Sequence, residues 1–149
     1  MGHRTPLFGQ ELRRGTYRAV GFLVDAEGLA LKEYGNYVFR DFTVGESRPF
    51  PEADAPFLAV NLPHEGMRFA ADTEVTVDFL VLNGEVGTDG LRVKISLDES
   101  CSYLADELSP VRISGIPAGE HVLQISLIDA EGQAVEGAFG SVTKRIVVE

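Results

Sequence analysis

Residues 73–81 read TEVTVDFLV and residues 91–97 read LRVKISL. In the first, Val75, Val77, Phe79 and Val81 share one parity, with Glu74, Thr76 and Asp78 on the other. In the second, Leu91, Val93, Ile95 and Leu97 alternate with Arg92, Lys94 and Ser96. A period of two places successive side chains on opposite faces of an extended chain, so both stretches read as half-buried strands of an antiparallel sheet. The turn-rich NGEVGTDG between them joins them as neighbours.

Working outward, HVLQISLID (121–129) and VTKRIVV (142–148) read as two further strands, PVRISGI (110–116) as a short one and FLAVNLP (57–63) as another. LADELS (104–109) has the makings of one helical turn, and no amphipathic helix is evident. Short strands punctuated by turn signals point to an all-β fold. Residues 56–149 are read as an immunoglobulin-like β-sandwich of about six or seven strands. The stretch GESRPFPEADAP, with three prolines and mixed charge, gives a linker at 46–55. Residues 1–45 form an additional β segment.

That segment repeats the end of the chain. LVDAEG (23–28) returns as LIDAEG (127–132), 104 positions later. At that constant offset, residues 15–45 align with 119–149 without a gap, and nine of the 31 positions are identical: Gly15, Leu23, Asp25, Ala26, Glu27, Gly28, Ala30, Val38 and Val44. Asp and Gly suit turns for generic reasons, but an ungapped register over this length indicates duplication. Residues 15–45 are thus read as a second copy of a sandwich's closing hairpin, without the strands that precede its sister.

The sequence also resembles a known family. PAGEHVLQISLIDAEGQAVEGAFGSVTKRIVV is similar to the closing strands of an uncharacterised family of bacterial exported proteins, many of them lipoproteins, with tandem immunoglobulin-like domains. Gly119, His121, Asp129, Gly132, Val135, Gly137 and Arg145 occupy the places of its pattern. VDFLVLNGEVGTDGLRVKISLD resembles its middle strands, and RGTYRAVGFLVDAEGLALKEYGNYVFRDFTVGE the end of the preceding domain. The family carries His-Glu-Ser ahead of a Lys there; this chain keeps Lys32 but has Gly28, Leu29 and Ala30. The resemblance spans about residues 12–149. It implies a tandem sandwich and carries no activity with it.

Composition narrows the function classes. A net charge of −10 with scattered Lys and Arg disfavours nucleic acid and anionic lipid. No run approaches the length of a membrane-spanning helix. The start, MGHRTPLFGQELRRGTYR, lacks the apolar core of a signal peptide, so a leader or first domain outside this sequence is one expectation. The compartment stays open, with the periplasm or the periphery of a membrane complex favoured. Cys101 is the single cysteine, which rules out an internal disulfide, and it reads as a small apolar filler.

No enzyme is indicated. Ser100, Cys101 and Ser102 have no nucleophile signature around them. His3, His64 and His121 lack metal-ligand spacing, and no calcium loop surrounds the acidic turns at Asp25, Asp98, Asp106 and Asp129. No cofactor and no metal are expected. His121 shares parity with Leu123, Ile125 and Leu127, which places it at the rim of the core, bonded to a backbone group.

Aromatics carry the remaining signal: eight of thirteen fall within residues 1–50. Arg18, Val20, Phe22 and Val24 replace Val122, Gln124, Ser126 and Ile128 of the sister copy, and Ala19, Gly21 and Leu23 lie on the other parity. A strand apolar on both sides reads as covered on both. Two arrangements remain open, packing of the hairpin on the sandwich in cis or cover by another chain. The partner-binding residues are taken as Val20, Phe22, Val24, Tyr34, Tyr37, Phe39 and Phe42. They serve a non-enzymatic accessory subunit that binds another protein subunit, or itself, through the N-terminal hairpin. The alternative is a carbohydrate-binding module using Tyr34, Tyr37 and Phe39 as a stacking platform for a glycan.

Overall fold

The computed structural model describes residues 10–149. It is all-β, with ten strands and no helix among the described residues. The strands are β1 (Gly15–Gly21), β2 (Val38–Val44), β3 (Phe57–Leu62), β4 (Met67–Phe69), β5 (Val75–Leu82), β6 (Arg92–Leu97), β7 (Cys101–Ala105), β8 (Val111–Ile113), β9 (Gly119–Ile128) and β10 (Ser141–Val148). Where one helical turn was expected at 104–109, β7 runs through Ala105 and bends follow.

A five-stranded sheet, in the order β4-β10-β9-β6-β7, faces a three-stranded sheet, β3-β5-β8. Together they form the immunoglobulin-like sandwich. The alternating residues meet between them: Val75, Val77, Phe79 and Val81 from β5, Val93, Ile95 and Leu97 from β6, Leu123, Ile125 and Leu127 from β9, and Ile146 and Val148 from β10. All pairings are antiparallel except β4, which runs parallel to β10 with Ile146 opposite Met67. Residues 46–55 carry no strand.

The pair β1–β2 forms a sheet of its own. It packs on the outer face of the three-stranded sheet. A second apolar cluster lies there, in which Ala30, Phe57, Ala59, Leu80 and Leu82 are buried against Val20, Phe22, Phe39 and Phe139. This changes the reading of β5. Its alternation marks a strand wet on one side, but the hairpin covers the second side, and Asp78 on that side is fully buried. Alternation reports which residues face the main core and cannot report that another element covers the polar parity.

The hairpin itself departs from expectation in the other direction. Among the described residues, only the parity of Val20 and Phe22 is covered. Ala19, Gly21 and Leu23 face solvent. Cys101 is exposed at the start of an edge strand and fills no core space.

Candidate functional site

The hairpin is held by two polar anchors inside an apolar seam. Asp78 projects outward from β5 into the seam. Its Oδ2 accepts from the Ala30 backbone N–H at 2.7 Å and from Asn61 Nδ2 at 2.7 Å. Its Oδ1 accepts from the Lys32 ammonium, which also donates to the Phe79 carbonyl at 2.9 Å. Asn61 then reaches the Gly28 carbonyl at 2.8 Å. A buried carboxylate is tolerated only when its lone pairs are satisfied and a cation is near, and both conditions are met by residues of the 28–32 turn. Lys32 is therefore a structural clamp.

The second anchor is Arg18. Its side chain is 2% exposed and makes a two-pronged pair with Asp41 across the hairpin, Nε to Oδ1 at 2.7 Å and Nη2 to Oδ2 at 2.8 Å. That pairing raises the Arg18 pKa above its ordinary value and holds the Asp41 carboxyl below its own, the hydrogen bond being the main cause in each case. The guanidinium also lies over three rings, Phe39 at 4.5 Å, Phe57 at 4.6 Å and Phe139 at 4.9 Å. A planar, weakly hydrated cation between aromatic faces suits such a place far better than an ammonium would. Beside it, segment 49–57 and residues 136–139 enclose a cleft of about 510 Å³.

The sequence-selected residues divide. Val20, Phe22 and Phe39 turn inward and pack on the sandwich. Phe39 meets Phe57 edge-on at 5.1 Å and carries Arg18 over its ring. A stacking platform of Tyr34, Tyr37 and Phe39 thus keeps only its first two members at the surface. Tyr34 is fully exposed, Tyr37 and Val24 are exposed, and Phe42 is half-buried and stacked on Tyr17 at 5.6 Å. Sequence reasoning missed Arg18, Lys32, Asp41, Asn61 and Asp78 as anchors. It also missed Leu23 and Val38, which are 68% and 70% exposed.

The geometry extends the internal repeat. Gly15 pairs with Val44 as Gly119 pairs with Val148, and Gly21 with Val38 as Ile125 with Val142. The bridges Val24–Ala30 and Ile128–Ala134 are related by the same offset. So are the turn bonds: Asp25 Oδ1 accepts from Glu27 and Leu29, and Asp129 Oδ1 from Glu131 and Gln133. Gly28 and Gly132 have φ of 82° and 83°, the left-handed region that glycine adopts without cost. The two hairpins are one structure used twice.

They are used with opposite faces. In β9 the odd-numbered residues Leu123, Ile125 and Leu127 are buried in the core, and Val122 and Gln124 face outward. In β1 the equivalents of the buried set, Ala19, Gly21 and Leu23, are exposed, and Arg18, Val20 and Phe22 dock. Substitution accounts for the reversal. Gln124 and Ser126 give way to Val20 and Phe22, while Leu123 and Ile125 give way to Ala19 and Gly21. The larger apolar area passes to the face that is outer in the sister copy.

At the His121 rim, Nδ1 lies 2.6 Å from Asp98 Oδ2 and Nε2 lies 2.7 Å from the Pro117 carbonyl. Both ring nitrogens face acceptors, which favours the doubly protonated ring. Asp98 Oδ1 also accepts from the Val122 N–H. This ties the β6–β7 turn to β9 and offers no nucleophile.

No family model and no curated protein matches the chain. Among solved structures, it is similar to the fibronectin(III)-like modules of Clostridium thermocellum CbhA, at 12% identity, with 62% of this chain and 97% of that one covered and a TM-score of 0.48.

Proposed function

We propose that the protein is a non-enzymatic binding or structural accessory subunit of a larger bacterial assembly, exported to the periplasm or held at the periphery of a membrane, in keeping with the family its sequence resembles. Its partner is another polypeptide, engaged through the N-terminal hairpin. The observation that carries this reading is the cost of that hairpin's surface: Leu23, Tyr34 and Val38 stand in solvent beside Val24 and Tyr37. A cluster of exposed apolar and aromatic side chains on one element marks an interaction surface. In this reading Val20, Phe22 and Phe39 fix the hairpin from below, Phe42 lies with Leu23 and Val38 on the face that meets a partner, and Val24, Tyr34 and Tyr37 stand exposed at its turn end.

Glycan binding is the second reading, supported by the full exposure of Tyr34 next to Tyr37. Immobilised full-length protein, presented with solubilised bacterial envelope proteins and with a glycan array, separates the two. Retention of a discrete polypeptide that is lost in Tyr34→Asp supports the protein partner. Retention of a glycan that is lost when Tyr34 and Tyr37 become Ala supports the sugar and overturns the first reading.

A further inference from the structure

The exposed face of β1–β2 has a counterpart inside the same molecule. In the sister hairpin that face is the core face, and a second β-sheet covers it. Here Tyr17, Ala19, Gly21, Leu23, Val38 and Phe42 form it, joined by Arg40 and Val44. The internal repeat therefore shows what kind of surface this face is built to meet, a β-sheet at sandwich spacing with apolar side chains. We propose that the occupant is the same face of a second copy of this chain, giving a symmetric dimer whose centre is a small intermolecular sandwich. The proposal rests on the protein-binding reading above and names its partner.

Self-complementarity follows from the register. Tyr17 is opposite Phe42, Ala19 opposite Arg40 and Gly21 opposite Val38. A two-fold axis parallel to the strands lays β1 of one copy over β2 of the other, as an isologous contact requires. Each small residue of β1 then faces a large one: Gly21 receives Val38, Ala19 receives the stem of Arg40, and Tyr17 meets Phe42. Gly21 and Ala19 are the substitutions that hollow out this face relative to Ile125 and Leu123, so the hollow lies where the partner's bulk arrives. The face holds no carboxylate in a chain of net charge −10, and Arg40 is its single charged residue. Two such faces approach without the repulsion between acidic groups that other parts of the surface would impose.

Size sets the affinity. Seven-residue strands are about 23 Å long, and two of them bury well under about 1,200 Å² in total, the range of weak and reversible association. Analytical ultracentrifugation of the full chain from about 5 to 500 µM brackets that range. The expected result is a weight-average mass rising with concentration toward twice the 16.2 kDa of one chain. The Leu23→Asp, Val38→Asp double variant should stay at the single mass over the same range. Both side chains are exposed in the single chain, so its melting temperature should match wild type measured at low concentration. A wild type that remains at the single mass throughout overturns the dimer and leaves the protein-binding reading standing, with a different sheet as the occupant. A double variant that self-associates like wild type overturns the assigned face. Loss of polypeptide capture in Tyr34→Asp, by contrast, concerns the protein-binding reading alone.

Discussion

Single residues decide how the two parts of this chain are joined, and Asp78 decides most. It sits at 0% exposure among three donors from two segments, the Ala30 N–H and the Lys32 ammonium of the 28–32 turn and the Asn61 amide of β3; Lys32 and Asn61 donate in turn to the carbonyls of Phe79 and Gly28. Removing it leaves an ammonium, an amide and a backbone N–H without their acceptor in an apolar seam. Asp78→Ala should cost about 3–5 kcal/mol, the usual loss when one member of a buried pair is deleted, read as a lowered urea midpoint. A change below about 1 kcal/mol, the level of an exposed ion pair, would show that water reaches the seam. His121 gives a second test, through pH. Its pKa is raised above the usual 6.5, first by the hydrogen bond to Asp98 and then by its bond to the Pro117 carbonyl, against desolvation. Asp98 is lowered below 3.8, first by His121 and then by the Val122 N–H. The raised group contributes stability that is complete below about 6.5 and is lost as pH rises through its folded value. The lowered group contributes above about 3.8 and loses it as pH falls through its folded value. Both act together between about pH 4 and 6.5. The penalty of His121→Ala, measured by urea unfolding across pH, should be greatest in that window and shrink on the alkaline side; a penalty that grows from pH 6 to 9 would contradict the charged pair.

At the scale of elements, the strands were legible because burial on one side writes a period of two into the sequence. Val75 to Val81 and Leu91 to Leu97 declared their core faces directly. Two three-residue strands did not. Met67–Phe69 pairs parallel with β10 and is too short for alternation to show, and β8 keeps only Val111–Ile113 of the longer stretch. The stretch 46–55 contains residues that line a cleft, Phe50 and Ala55 among them, which its proline content alone could not announce. The site was half legible. Aromatic enrichment singled out the N-terminal hairpin, but which of its faces is free depends on docking against β3 and β5, a contact between segments far apart in the chain. One signal was present and carried further than it was taken. The repeat assigns Ala19, Gly21 and Leu23 to the parity that is core in the sister, and among the described residues nothing covers that parity here. Asp78 gave no such sign, because a carboxylate on a strand's polar parity is usually solvated, and its partners at Ala30 and Lys32 lie more than forty residues away.

For the molecule as a whole, the question is how far the sandwich depends on the hairpin docked against it. Its main core is self-contained: every residue of the larger apolar cluster lies between Leu58 and Val148. A polypeptide of residues 46–149 should therefore still fold. It would nonetheless lose the cover over Phe57, Ala59, Leu80 and Leu82. Burying a Phe or Leu side chain is worth about 1.5–3 kcal/mol, so uncovering these residues removes several kcal/mol of apolar contact. Asp78 would keep Asn61 but lose the Ala30 N–H and the Lys32 ammonium, although water reaching the opened face can replace both. Arg18 would no longer lie over Phe57 and Phe139. The expected behaviour is a cooperative unfolding transition at a lower temperature than that of the full chain, together with binding of a hydrophobic dye to the bared outer face of β3 and β5. Adding Leu80→Lys and Leu82→Glu to the shortened chain should abolish the dye binding while leaving the transition in place, since both side chains point away from the main core. A shortened chain that melts at the temperature of the full one would mean that the hairpin contributes nothing to the sandwich beneath it, and one with no cooperative transition would mean that the two are a single folding unit in which the outer seam is as necessary as the core.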